Sequence, residues 1–106
     1  MQVFQALSDP TRCHIVEMLA AQGRMPAGEI AKKFDVSAPA ISQHLKVLKA
    51  ARLVLVEVKA QSRIYRINPD GFSDAQEWID RMKAMLSESF DKLEALLETE
   101  NSTRTP

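Results

Sequence analysis

Residues 36–54 read VSAPAISQHLKVLKAARLV. A serine, a proline and small residues come first, and apolar residues then recur at helical spacing. Ser37 is a good N-cap. Pro39 falls in the first turn, where its missing N–H leaves no bond unmade. The pattern predicts a helix from Ala38 to about Ala51. At 100° per residue, Ile41, Leu45 and Leu48 lie within about 60° of one another and form a core stripe. Pro39, Gln43, Lys46 and Ala50 lie opposite, flanked by Ser42 and Val47. A helix whose outer face is polar and basic, with small residues at its start, is shaped to be approached from outside.

Working outward, PAGEIAKKF (26–34) predicts a short helix with Ile30, Ala31 and Phe34 inward, joined to the next by Asp35, Val36 and Ser37. Two helices joined by three residues, the second polar outside, match a helix-turn-helix. Upstream, SDPTR (8–12) is a helix start, with Asp9 as N-cap and Pro10 at the first helical position. That helix continues to Gly23 with Ile15, Val16 and Leu19 on one face. A short helix over 2–7 precedes it, with Val3, Phe4 and Leu7 on one side. Downstream, LVLVEVK (53–59) and RIYRI (63–67) predict a two-stranded hairpin joined by Ala60, Gln61 and Ser62. Tyr65 is expected to pack on the body. Asn68-Pro69-Asp70-Gly71 is a turn. A long helix then runs from Phe72 to about Glu98, and a polar tail over 99–106 is expected to fray.

The fold class that follows is mainly α with a small β-hairpin, α+β: a winged helix-turn-helix. It occupies residues 1–98 as one domain, with the helix-turn-helix at 27–51, the wing at 53–67 and the C-terminal helix at 72–98.

The 14 Lys/Arg and 14 Asp/Glu cancel, but they are segregated. Residues 1–69 carry ten Lys/Arg and five Asp/Glu, a net +5; residues 70–106 carry four and nine, a net −5. A basic body permits a nucleic-acid surface despite the neutral total. The expected partner is double-stranded DNA. A helix fits the major groove, and Gln43 can bond an adenine edge twice. Ser42 suits base edges or phosphate; Lys46 and the amides near Ser37 suit phosphate, and Ala38 and Pro39 border that first turn. Lys59 and Arg63 place charge at the hairpin tip. His44 lies about 60° from the core stripe and is left between a DNA contact and a local hydrogen bond.

In the last helix Ile79, Met82, Leu86, Ser89, Leu93 and Leu96 recur at spacings of three and four, and Trp78, Met85, Phe90 and Leu97 widen the stripe. That is too much apolar surface for one small body to cover. A homodimer interface is expected there, with Phe4 of the first helix joining it.

Other classes are poorly supported. No catalytic constellation or phosphate loop stands out, so no enzyme is expected. His14, His44 and Cys13 are too few for an evident metal site, and no cofactor is expected. The lone cysteine fits a reducing cytoplasm. No apolar run approaches the ~20 residues that span a bilayer, and the start lacks signal-peptide features, so no membrane partner is expected. Two other functions remain: a thiol- or small-molecule-responsive regulator acting through Cys13, and a winged-helix protein-interaction module. Cys13 itself is read as a buried core thiol, with a reactive thiol as the alternative.

ALSDPTRCHIVEML (6–19) followed by GEIAKKFDVSAPAISQHLKVLKAARLV (28–54) resembles the ArsR/SmtB family of winged-helix repressors. The likeness covers about residues 2–70 and agrees in kind with the last helix. It implies a homodimeric transcription repressor that leaves its operator when it senses an effector, with Ser42, Gln43 and His44 toward the bases and the hairpin as wing. Metal-sensing members carry Cys-x-Cys before the recognition pair or Asp/His/Glu ligands on the last helix. Residues 24–34 have no cysteine and residues 73–98 no histidine, so the resemblance is to a metal-independent type with an unidentified small-molecule effector.

Overall fold

The computed structural model describes the backbone of residues 1–104 and the side chains of residues 1–100. In chain order the elements are α1 (Gln2–Leu7), α2 (Pro10–Gln22), β1 (Arg24–Pro26), α3 (Ala27–Lys32), α4 (Ala38–Ala50), β2 (Val54–Lys59), β3 (Ser62–Ile67), a 3-10 turn (Pro69–Phe72) and α5 (Ser73–Arg104). They form two compact units, Met1–Ala75 and the part of α5 from Gln76 onward. The mainly α winged helix-turn-helix expected from the sequence is the fold observed.

The helix ends follow local chemistry. The Asp9 carboxylate accepts a hydrogen bond from the Arg12 amide at 3.1 Å, and Pro10 opens α2. Gly23, at φ 90°, closes it, its amide donating to the Leu19 carbonyl at 2.8 Å. Ser37 caps α4 by accepting from the Ala40 amide at 3.3 Å. The far end of α4 is a Schellman motif: the Leu53 amide bonds the Leu48 carbonyl and the Arg52 amide bonds the Lys49 carbonyl. Arg52, at φ 64°, takes the left-handed position where glycine is usual. Its carbonyl accepts from the Asn68 side-chain amide at 2.9 Å. The same carbonyl would lie 1.8 Å from a Cβ on Gly71, so only glycine lets the turn after the wing close against the end of α4.

The core of the first unit is drawn from every helix and strand in it. Ile15 and Leu19 of α2, Ile30 of α3, and Ile41, Leu45 and Leu48 of α4 are buried with Leu53, Val54, Met25 and Tyr65. The expected stripe on α4 is therefore the buried one, and Tyr65 packs inward as expected.

Several expectations are corrected. The sheet has three strands in the order β1-β3-β2, not two. Arg24, Met25 and Pro26 pair with Arg66, Tyr65 and Ile64. Pro26 is tolerated because β1 is an edge strand. Helix α3 is shorter than expected at both ends: Pro26 belongs to β1, and the helix stops at Lys32, so residues 33–37 join it to α4. The wing loop is two residues, Ala60 and Gln61, with Lys59 opposite Ser62; Ala60 takes φ 54°. In α1, Ala6 rather than Phe4 is buried beside Val3, and Phe4 is exposed. The helix expected to end near Glu98 continues to Arg104, so residues 99–104 are helical rather than frayed; residues 105–106 of the expected tail lie outside those described. Among the described residues no helix is long and apolar enough to cross a membrane.

Candidate nucleic-acid interface

Helix α4 is divided lengthwise. Ile41, Leu45 and Leu48 are buried, while Ala38, Pro39, Ser42, Gln43 and Lys46 are exposed, as is the capping Ser37. This split leaves two polar side chains, one cation and a capped helix start on one accessible face. Gln43 offers an amide that can donate and accept at once, and Lys46 offers three donors. Val47, on the flank, is also exposed.

The wing contributes a second group. Lys59 and Arg63 are exposed at the hairpin end, opposite Ser62 and Val58 respectively. Glu57, the only acidic residue of the two wing strands, has its carboxylate 3.6 Å from Arg24. That pair is solvent-exposed and contributes at most about 1 kcal/mol, but it offsets a negative charge beside the basic tip.

His44 does not sit on the open face. It is half-buried, and its Nδ1 lies 3.3 Å from Arg12 Nη1 and 3.8 Å from Asp9 Oδ2. The local-hydrogen-bond alternative thus describes the ring's observed contacts. Arg12 also donates from Nε to the Ala6 carbonyl at 2.7 Å, so one guanidinium joins α1, α2 and α4. The Asp9 carboxyl is held below its ordinary pKa, first by the Arg12 amide, against opposing desolvation, and then by the charges of His44 and Arg12. From the sequence, the Asp-Pro-Thr-Arg stretch announced a helix start; the reach of Arg12 to the recognition helix was not visible there. The only available signal was an arginine three residues after a capping aspartate.

Cys13 is not a core thiol. It is half-buried on α2, with Sγ 3.6 Å from the Glu17 carboxylate. Desolvation, then the negative charge and hydrogen bond of Glu17, push its pKa up. Adjacent in sequence but on another face, His14 packs edge-on against Phe34, ring centres 5.1 Å apart. Among the described residues no three His, Cys, Asp or Glu side chains converge to hold a metal ion.

The residues expected at a dimer interface are exposed in the single chain, except Met82, which is half-buried. They are Phe4 on α1 and Trp78, Ile79, Leu86, Phe90, Leu93 and Leu97 on α5.

Comparison with known proteins converges on one family. A model described as a helix-turn-helix domain matches residues 7–57, which run from the end of α1 into β2. The chain is 46% identical over 80 residues to the HTH-type transcriptional regulator Rv2034 of Mycobacterium tuberculosis, covering 76% of this chain and 74% of that protein. It is 42% identical over 77 residues to the transcriptional repressor SdpR of Bacillus subtilis, covering 73% and 84%. An ArsR-like transcriptional regulator from Rhodococcus sp. RHA1 superposes with a TM-score of 0.76 at 27% identity, over 90% of this chain and 89% of that one. The exposed polar face of α4, the basic wing and these likenesses agree: the chain belongs to the ArsR/SmtB family of winged-helix, DNA-binding transcriptional regulators.

Proposed function

We propose that the protein is a cytoplasmic homodimeric repressor that binds an inverted-repeat operator, with α4 of each subunit in the major groove. The observation that carries this reading is the lengthwise division of α4, which leaves Ser42, Gln43 and Lys46 exposed opposite a fully buried stripe. Gln43 and Ser42 supply sequence preference through base edges. Lys46, the α4 amides capped by Ser37, with Ala38 and Pro39 permitting close approach, and Lys59 and Arg63 of the wing supply phosphate contacts. His44, on the flank of α4, is met by Arg12 and Asp9 at the start of α2 rather than left free for DNA. The named activity of SdpR supports repression as the outcome.

The exposed apolar residues of α5 support the dimer. A two-fold axis through such an interface sets two recognition helices about 34–36 Å apart, one turn of DNA. Release from the operator follows when a small molecule or modification at that interface favours a different helix separation, which requires unequal affinity for the two geometries. The Glu17 carboxylate, 3.6 Å from Sγ, disfavours the Cys13 thiolate and weighs against a reactive-thiol trigger.

Fluorescence anisotropy with a selected operator and a scrambled duplex tests the reading. Gln43→Ala is expected to weaken operator binding by about 1–3 kcal/mol and leave scrambled DNA unaffected, whereas Lys46→Ala weakens both and reduces the salt slope by about one. Equal losses for Gln43→Ala on both duplexes would remove Gln43 from base reading.

A further inference from the structure

We infer that Arg12 is a positioning residue for the DNA-reading helix, and that it holds α4 only while His44 is neutral. This rests on the proposed reading of α4 as the element that contacts DNA. An arginine has five donors and no acceptor. With Arg12 Nη1 3.3 Å from His44 Nδ1, the hydrogen bond exists only if Nδ1 carries a lone pair, which places the ring proton on Nε2. The other end of the guanidinium is anchored, Nε donating to the Ala6 carbonyl at 2.7 Å. Arg12 therefore bridges α1 to the middle of α4, one residue from Gln43.

Protonation of His44 abolishes this bond. Both ring nitrogens then carry hydrogens, and Arg12 faces a like charge. The Asp9 carboxylate, 3.8 Å from the same Nδ1, becomes the favoured partner. Asp9 and Arg12 both belong to the start of α2, so the ring has two mutually exclusive attachments there. Among the described residues, Asp9 is the carboxylate within ion-pair distance of the ring, and no carboxylate of α3 or β2, which also pack on α4, comes as close. On α4 itself the residues one turn away, Ala40, Ile41, Val47 and Leu48, are uncharged.

Protonation also adds a positive charge that strengthens binding to any DNA. The informative quantity is therefore the ratio of affinities for a selected operator and a scrambled duplex of the same length, in which that general term cancels. The operator is obtained by selection from random-sequence DNA on the wild-type protein. Between about pH 7.5 and about pH 5.5 the wild-type ratio is expected to fall about tenfold, the scale of one charge-assisted hydrogen bond. His44→Gln keeps an acceptor for Arg12 but cannot take up a proton; its ratio should stay high and flat. Arg12→Lys, whose single ammonium cannot hold both partners, should lower the ratio at neutral pH and flatten its pH dependence, with folding verified by circular dichroism. His14→Gln should retain the wild-type profile.

A wild-type ratio well above one but flat with pH, or a His44→Gln profile that still falls, overturns the coupling while leaving the DNA reading intact. A wild-type ratio of one at every pH overturns the DNA reading and this inference with it.

Discussion

Two helices of this chain carry similar apolar stripes and meet opposite fates. In α4, Ile41, Leu45 and Leu48 are at most 1% exposed. In α5, Leu86, Phe90 and Leu93 are 58%, 64% and 53% exposed. Both stripes repeat every three or four residues, so helical periodicity does not separate them. What separates them is supply. The α4 stripe faces α2, α3 and the base of the wing, which were brought around it by the helix-turn-helix and the three-stranded sheet. The α5 stripe extends through a 32-residue helix, longer than any other element and about 48 Å from end to end at 1.5 Å per residue. An amphipathic stripe therefore predicts burial only if enough chain remains to bury it; otherwise it predicts a partner.

That contrast can be broken in graded ways. The largest expected effect is in the covered stripe. Leu48→Ala leaves a cavity at a site with no exposed surface and should cost about 2–5 kcal/mol, read as a fall in denaturation midpoint that does not depend on protein concentration. Next is the open stripe. Leu93→Glu should leave helix content intact but raise the dimer dissociation constant at least about 100-fold, roughly 3 kcal/mol. Sedimentation would then give the monomer mass at micromolar concentration. An unchanged sedimentation mass would refute the α5 interface. The smallest effect lies in neither stripe and serves as a baseline. Ala60 at φ 54° sits where glycine is favoured, so Ala60→Gly should stabilise the first unit by about 0.5–1 kcal/mol without changing mass or operator affinity.

Helix starts and the core stripes were legible because their causes are local. Asp9-Pro10 and Ser37-Pro39 cap α2 and α4 within three residues of themselves, and periodicity alone aligned Ile41, Leu45 and Leu48. The exposed face bearing Ser42, Gln43 and Lys46 follows by subtraction from that stripe. Strand β1 was not legible. Arg24-Met25-Pro26 is too short and too proline-limited to declare a strand, and becomes one only by pairing with Arg66, Tyr65 and Ile64, some forty residues away. Cys13 was misplaced because a residue type that is usually buried falls between the core positions of α2, beside Glu17. Val3 and Phe4 were expected on one side of α1 but are buried and exposed respectively, because a six-residue helix has too few turns for periodicity to say which side faces in.

Taken alone, then, the order of residues determined where helices begin, which face of the recognition helix turns inward, and what chemistry is left on the other face. These depend on interactions spanning four residues or fewer. Only the tertiary structure decided that β1 joins the wing, that Gly71 must be bare against the Arg52 carbonyl, and that Arg12 meets His44 thirty-two positions away. Such contacts arise from packing between elements distant in sequence, and no local pattern encodes the distance between them.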